Sequence, residues 1–240
     1  MILSVNHLKV SVNRQPILQD LSFELEKGLI SGLLGENGAG KTTTFQTLIG
    51  LHKPSFGQII LDGENITNLP MYKRARKGIG YLSQEPSIFK ALTVEENLLI
   101  YLEQQPLSKK EKQYIVDKRL DELHILPLKK KPAKELSGGE RRRVEISRAL
   151  ITEPKILFLD EPFANIDPKT IEDVKELIYF LKAKGITIFI TDHNAHELLS
   201  FIDTGLFLHK GCLLAKGTSK ELIENPSLKE NYLGKNFSLK

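Results

Sequence analysis

Only one cysteine, Cys212, stands in the 240 residues, and there is no tryptophan. A lone thiol excludes a disulfide framework and a zinc site built on thiolates. No apolar run approaches the roughly 18 residues that a membrane-spanning helix needs. The opening stretch, Met1 to His7, lacks the basic-then-apolar pattern of a signal peptide, so a cytoplasmic protein is expected. Charge of one sign is scarce as well. The 34 Lys and Arg stand against 30 Asp and Glu, a net +4, which permits contact with phosphates or an acidic membrane without demanding either. Internal repeats and low-complexity segments are missing. What is present is the balance of an ordinary globular protein, 40% hydrophobic and 27% charged, with length enough for one sizeable core.

Local patterning predicts strands at Ser4–Val12 and Ile17–Glu26, broken by Asn13-Arg14-Gln15-Pro16. Leu29–Leu34 reads as a buried strand, Thr42–Ile49 as a helix stopped by Gly50, and Gln58–Leu61 as a strand closed by Asp62-Gly63. From Thr93 to Leu123 the residues favour helix, with Pro106 and Ser108 as a break. About 86–150 therefore reads as a helical insertion within one domain spanning 1–240. Strand, helix and strand at Ile156–Leu159, Thr170–Lys184 and Thr187–Ile190 argue for an α/β fold with a mostly parallel sheet. A hairpin at Leu206–His209 and Cys212–Ala215 follows, then short helices near Lys220–Glu224 and Leu228–Tyr232, within a C-terminal tail of about 219–240.

The strongest local signal is Gly35-Glu36-Asn37-Gly38-Ala39-Gly40-Lys41-Thr42, followed by Thr43. It matches a phosphate-binding loop and lies between a predicted strand and a predicted helix, as that function requires. Glycines let several N–H groups point inward, the helix start adds its positive dipole end, Lys41 brings a mobile charge, and the Thr42 hydroxyl suits Mg²⁺. The run Leu157-Phe158-Leu159-Asp160-Glu161 carries two carboxylates to the C-terminal edge of a strand, where ligands of open α/β sheets sit. Asp160 suits the metal, and Glu161 suits a general base acting on water.

A second helix start able to receive an anion follows Leu136, at Ser137-Gly138-Gly139-Glu140. One phosphate loop suffices for one site, so the second calls for an explanation. Here the chain resembles the ATP-binding cassette (ABC) ATPases, whose signature reads LSGGQ against LSGGE here. The resemblance covers nearly the whole chain. It implies a phosphate-loop core with a mostly parallel sheet, an N-terminal antiparallel β subdomain and an inserted helical subdomain. It points to Gln84 as the glutamine-loop residue beside Mg²⁺, to Ala164-Asn165-Ile166-Asp167 as the loop after the catalytic acid, and to His193 as the switch histidine. Singly, a Gln or a His is an ordinary polar surface residue; the ordered set is specific.

That family works as a head-to-tail pair of cassettes, which implies a homodimer. ATP then lies between Gly35–Thr43 of one copy and Ser137, Gly138, Gly139 and Glu140 of the other. It also implies two integral-membrane permeases, contacted here near Ile88, Phe89 and Leu92, with the cassette peripheral on the cytoplasmic face of the inner membrane. The bland alternative for these three residues is core of the helical insertion. Two departures stand out. Val12 falls where many cassettes stack an aromatic on adenine, which predicts loose discrimination between ATP and GTP. Glu140 replaces the usual Gln, adding negative charge near phosphate.

Finer features, Arg74–Leu82, Gln84–Phe89, LSGGERRRVEISRAL, DEPFANIDP, ITDHN and Tyr232–Phe237, are similar to cassettes of lipopolysaccharide exporters. Ser83 and Asn165 depart from that pattern, where Pro and Gly are expected. A rival is the cassette of a branched-chain amino-acid importer; a rival of another class is a soluble ATP-driven regulator on ribosomes or DNA. No aromatic-interleaved basic motif supports nucleic-acid binding, and the basic runs Lys129–Lys131 and Arg141–Arg143 read first as solvated faces. Tyr232, Leu233 and Phe237 are apolar enough to dock the tail on the cassette, either its own or the opposite one.

Overall fold

The computed structural model describes residues 1–85, 87–164, 166–234 and 237. Two long strands, β1 (Leu3–Val12) and β2 (Gln15–Leu25), open the chain. They form a hairpin at whose tip Asn13 and Arg14 both take positive φ, the backbone that a tight hairpin turn needs. Then come β3 (Ile30–Gly35), α1 (Lys41–Ile49), β4 (Phe56–Leu61), β5 (Glu64–Asn65), α2 (Met71–Arg76) and β6 (Ile79–Leu82). The helices α3 (Val94–Leu99), α4 (Lys109–Glu122) and α5 (Gly138–Leu150) follow. The chain continues through β7 (Ile156–Asp160), α6 (Pro168–Ala183), β8 (Thr187–Thr191), α7 (Ala195–Leu199), β9 (Thr204–His209), β10 (Cys212–Thr218) and α8 (Ser219–Glu224).

Among the described residues, ten strands make one sheet, ordered β5-β4-β1-β2-β10-β9-β3-β8-β7-β6. Its first part is antiparallel through β5, β4, β1 and β2, and β9 and β10 form an antiparallel hairpin. The run β9-β3-β8-β7-β6 is parallel throughout. Every residue of β3, β7 and β8 is buried, as expected for parallel strands covered on both faces. By contrast, β1 mixes buried and exposed positions. Phe45 of α1 packs against Phe158 of β7 and Phe189 of β8 with ring centroids 5.3 and 4.9 Å away. This seats the helix that follows the phosphate loop firmly on the sheet.

The opposite end of α1 is held by Arg74, which is 1% exposed. Its guanidinium donates to the carbonyls of Thr47, Leu48, Thr67 and Leu69 at 2.7–2.8 Å. A cation there satisfies carbonyls that a helix end leaves open and opposes the dipole. Burial lowers its pKa to about 10, which still leaves it charged at neutral pH.

Several expected elements start or end differently. β2 begins at Gln15, inside the expected break, β4 at Phe56 and β9 at Thr204. The helix that carries the signature begins at Gly138, with Ser137 as its cap, because Ser137 and Glu140 form a reciprocal capping box. The helix expected from Thr170 begins at Pro168, because Asp167 caps it and proline suits its first turn. In the tail, a helical turn at Pro226–Leu228 and a π-type turn at Lys229–Leu233 replace a single helix over 228–232. The strand β6 and the short helices α2 and α7 were not expected from the sequence. Pro86, at the expected start of the insertion, and Asn165, with its departure from Gly, lie outside the described residues.

Candidate nucleotide site

The phosphate loop occupies the link between β3 and α1. Gly35, Gly38 and Gly40 all take positive φ, and Gly40 stands in the left-handed region directly before the helix. A Cβ at Gly35 would lie 2.3 Å from the Leu208 carbonyl, whereas one at Gly38 would meet nothing within 4 Å. The loop is thus closed against the sheet at Gly35 and open at Gly38. Glu36, Asn37, Gly38 and Thr42 are exposed, Thr43 is half-buried, and Ala39 and Lys41 are buried. The Lys41 ammonium donates to the carbonyls of Gly35 at 2.6 Å and Glu36 at 3.1 Å. Burial lowers its pKa, opposed by the charges of Glu161, Asp192 and Asp160.

The parallel register sets the acidic side of the site. Leu82 of β6 pairs with Leu159 of β7, and Asp160 of β7 pairs with Thr191 of β8. The ends of three strands, and the loops leaving them, therefore meet at one edge. Asp160 accepts from the Thr191 hydroxyl at 2.8 Å and the Tyr81 hydroxyl at 3.2 Å, and burial raises its pKa. Glu161 has φ +47°, a strained backbone for a non-glycine residue. It is held by its own N–H, which donates to the Thr191 carbonyl at 2.9 Å. Gln84 donates from Nε2 to a Glu161 oxygen at 2.8 Å. The His193 Nδ1 lies 3.6 Å from the same oxygen, with its side chain 56% exposed. Asp192 is buried, which raises its pKa, and it accepts from the N–H groups of Asn194 and Phe163.

Gln84, Asp160, Glu161 and His193 thus converge. Tyr81, Thr191 and Asp192 belong to the same cluster but carried no assigned role in the sequence reading. The signal was present in Thr191-Asp192-His193 and in Tyr81, two residues before Ser83, but their hydrogen bonds span 31 and 79 residues.

A buried carboxylate near a lysine whose ammonium bonds two carbonyls fits what Mg²⁺ and phosphate would need. Asp160, the Thr42 hydroxyl and the Gln84 amide oxygen are hard ligands too few to cage a cation. They suit Mg²⁺, which is typically bound through one or two carboxylates and substrate phosphates.

The signature borders one cavity away from the phosphate loop and shares a second with the acidic cluster. Ser137, Gly138, Gly139 and Glu140 border a cavity of about 760 Å³, along with Asp167 and Arg143. A smaller cavity of about 240 Å³ touches Gly138 on one side and Gln84 and Glu161 on the other. Glu140 is not free for phosphate. Its carboxylate accepts from the Ser137 N–H at 2.8 Å and from Lys131 at 3.3 Å, and the first of these chiefly lowers its pKa. Asp167 accepts from the Thr170 N–H at 3.1 Å as a helix cap. The basic runs are solvated only in part: Lys130 is exposed, while Lys129, Lys131 and Arg141–Arg143 are half-buried. Lys129 pairs with Asp117, Lys130 with Glu95 and Lys131 with Glu140. Arg141, Arg142 and Arg143 donate to the Leu136 carbonyl, Glu145 and the Leu123 carbonyl. Each finds a counter-charge or a carbonyl within the helical insertion.

Of the three residues expected at a permease groove, Ile88 is buried and joins the core of the helical region. Its apolar side chain points inward while its neighbour Phe89 is 48% exposed, and Leu92 is half-buried. The Arg148 guanidinium lies 5.8 Å from the Phe89 ring and 5.5 Å from that of Tyr101, joining two exposed aromatics into one patch. Val12 is partly buried, packed against the core that the N-terminal strands share with α1.

Among the described residues, no helix is long and apolar enough to cross a membrane. The ABC transporter family profile matches residues 18–164. The chain is 44% identical over 238 residues to the lipopolysaccharide export system ATP-binding protein LptB of Acidithiobacillus ferridurans, covering 99% of each. It is 42% identical to LptB of Escherichia coli K12, again over 99% of each. A probable ABC transporter ATP-binding protein of Azorhizobium caulinodans is 44% identical over 97% of this chain and 83% of its own. Among solved structures, the ADP conformation of MJ1267, an ATP-binding cassette of an ABC transporter, superposes with a TM-score of 0.86 at 31% identity. That match covers 97% of this chain and 98% of the other. With a phosphate loop, an acidic strand end, a separate signature helix and these relatives, the chain belongs to the ABC transporter family as an ATP-binding, ATP-hydrolysing cassette.

Proposed function

We propose that this cassette powers lipopolysaccharide export, drawing the lipid from the inner membrane toward the outer membrane through two partner permeases. The observation that carries the reading is the identity of 42–44% to LptB proteins, end to end in both chains.

In this reading Lys41 turns its ammonium to the β- and γ-phosphates, and the N–H groups of Glu36 to Thr43 cradle them. Thr42, Asp160 and Gln84 hold Mg²⁺, which when bound withdraws charge from the phosphate oxygens. Glu161, beyond the strand end, takes the proton of the attacking water. His193, within reach of the same carboxylate, orients water and the γ-phosphate. Ser137 and Gly139 of a second copy complete the site, since none of Gly35–Thr43 lines the cavity that the signature of the same chain borders. The dimer thereby supplies donors to a site that is incomplete in one chain. The patch of Phe89 and Tyr101, with Leu92 nearby, receives the permease, and the cassette sits on the cytoplasmic face of the membrane.

The test is affinity purification of tagged Glu161→Gln protein from detergent-solubilised native membranes, with partners identified by mass. Two short permeases with large periplasmic domains support the reading. Longer permeases accompanied by a solute-binding protein would reassign the cassette to amino-acid import. Recovery with ribosomes or DNA alone would remove transport altogether.

A further inference from the structure

The C-terminal segment reaches the phosphate loop. Tyr232, in the turn at Lys229–Leu233, donates its hydroxyl to the Gly35 carbonyl at 3.2 Å, across 197 residues. Its ring stands edge-on against Phe207, with centroids 4.5 Å apart and planes at 71°. Phe207 pairs with Leu34 and its neighbour Leu208 pairs with Gly35, so the aromatic contact and the hydrogen bond share one stretch of sheet. Burial, with the charges of Glu36 and Asp192, raises the phenol's pKa, so it remains a donor. Further along the tail, the Phe237 ring lies 5.9 Å from that of His196 in α7, the helix that follows His193. The tail therefore docks on its own cassette, at the start of the phosphate loop and on the helix that follows His193.

The Gly35 carbonyl is also the acceptor that Lys41 holds at 2.6 Å, while Glu36 offers the second. An ammonium has three N–H donors. Two turned to the β- and γ-phosphates leave one for two carbonyls, and a buried carbonyl that loses its donor is costly. We propose that Tyr232 is a positioning residue for ATP binding: its hydroxyl keeps the Gly35 carbonyl satisfied when Lys41 turns to the phosphates. This rests on the phosphate-loop reading of Gly35–Thr43 but not on the identity of the transported lipid. ADP engages one phosphate fewer and leaves the lysine two donors for two carbonyls, so the tyrosine matters less to ADP than to ATP.

Tyr232→Phe in the full chain removes the hydroxyl and keeps the ring on Phe207. ATP affinity should weaken by roughly two- to tenfold, the range one net hydrogen bond is worth. ADP affinity should weaken less, KM for ATP should rise more than kcat falls, and the melting temperature should move little. Tyr232→Leu serves as the comparison that loses packing as well, and it should lower the melting temperature. Equal ATP affinity in Tyr232→Phe and the unmodified chain would overturn the proposal. So would equal losses for ATP and ADP, which mark a general loosening of the loop. Failure of the unmodified chain to bind ATP would instead remove the nucleotide site itself.

Discussion

Gln84 and Glu161 are joined by a hydrogen bond of 2.8 Å from amide nitrogen to carboxylate oxygen. Each lies two residues beyond one of a pair of matched strand positions, Leu82 and Leu159. The parallel register, with the turned backbone of Glu161, brings them together, and the bond uses the amide nitrogen rather than the oxygen that would face a metal. The residue expected to sense the metal is thus bonded to the residue expected to activate water.

Glu161→Gln keeps an amide oxygen where Gln84 donates, so the local geometry should survive. ATP binding should persist, while turnover falls by about a hundred- to ten-thousand-fold with loss of the general base. Phosphate release and nucleotide binding measured on the same preparation check this. Near-normal turnover would take Glu161 out of that role.

Val12 presents a partly buried aliphatic surface rather than a ring. Affinities for ATP and GTP, measured side by side, should be similar. Val12→Tyr should tighten ATP by about two- to tenfold, since stacking contributes about 0.5–1.5 kcal/mol. A strong preference for ATP in the unmodified protein would show that another group reads the base.

Phe89 is 48% exposed, and its backbone is held independently of its ring by Asn97, which accepts from the Phe89 N–H at 2.8 Å. Phe89→Ala should therefore fold with a stability change within about 1 kcal/mol and retain ATP hydrolysis in isolation. Co-purification with permeases should be lost. A large drop in melting temperature would return Phe89 to the core.

Glu140 caps the signature helix, with its pKa lowered chiefly by the Ser137 N–H. A folded-state pKa below the ordinary 4.5 means that its contribution is present above that value. The contribution is lost as pH falls through the lower, folded-state value. Glu140→Ala should cost about 1 kcal/mol at neutral pH, and the gap to the unmodified chain should close under acid. Glu140→Gln retains the acceptor for the cap and should lie between them. Denaturant midpoints across pH measure all three.

Much of the fold was legible because its signals are local. The buried runs Ile30–Leu34, Ile156–Leu159 and Thr187–Ile190, the loop glycines and the helix from Lys41 can be read from a few residues each. β6 was not. It is four residues long and contains Gly80, where a Cβ would meet Leu157 at 2.8 Å and Pro154 at 3.2 Å. That glycine marks a close approach, which only the neighbouring strand explains. The lysine run misled for a related reason. Exposed or paired cannot be told from Lys129–Lys131 alone, because Asp117, Glu95 and Glu140 come from three other segments.

By itself the sequence determined the phosphate loop, the acidic strand end, the signature and the family, since each is a short pattern whose residue types and spacing are set by its chemistry. Tertiary structure decided which of these face one another. Asp160 meets Tyr81 and Thr191, Gln84 meets Glu161, and Arg74 reaches four carbonyls at and beyond the end of α1. Tyr232 reaches Gly35 across 197 residues. Periodicity tells which side of a strand is buried but carries no register between strands, and it is the register of β8, β7 and β6 that places Thr191, Asp160, Glu161, Tyr81 and Gln84 together.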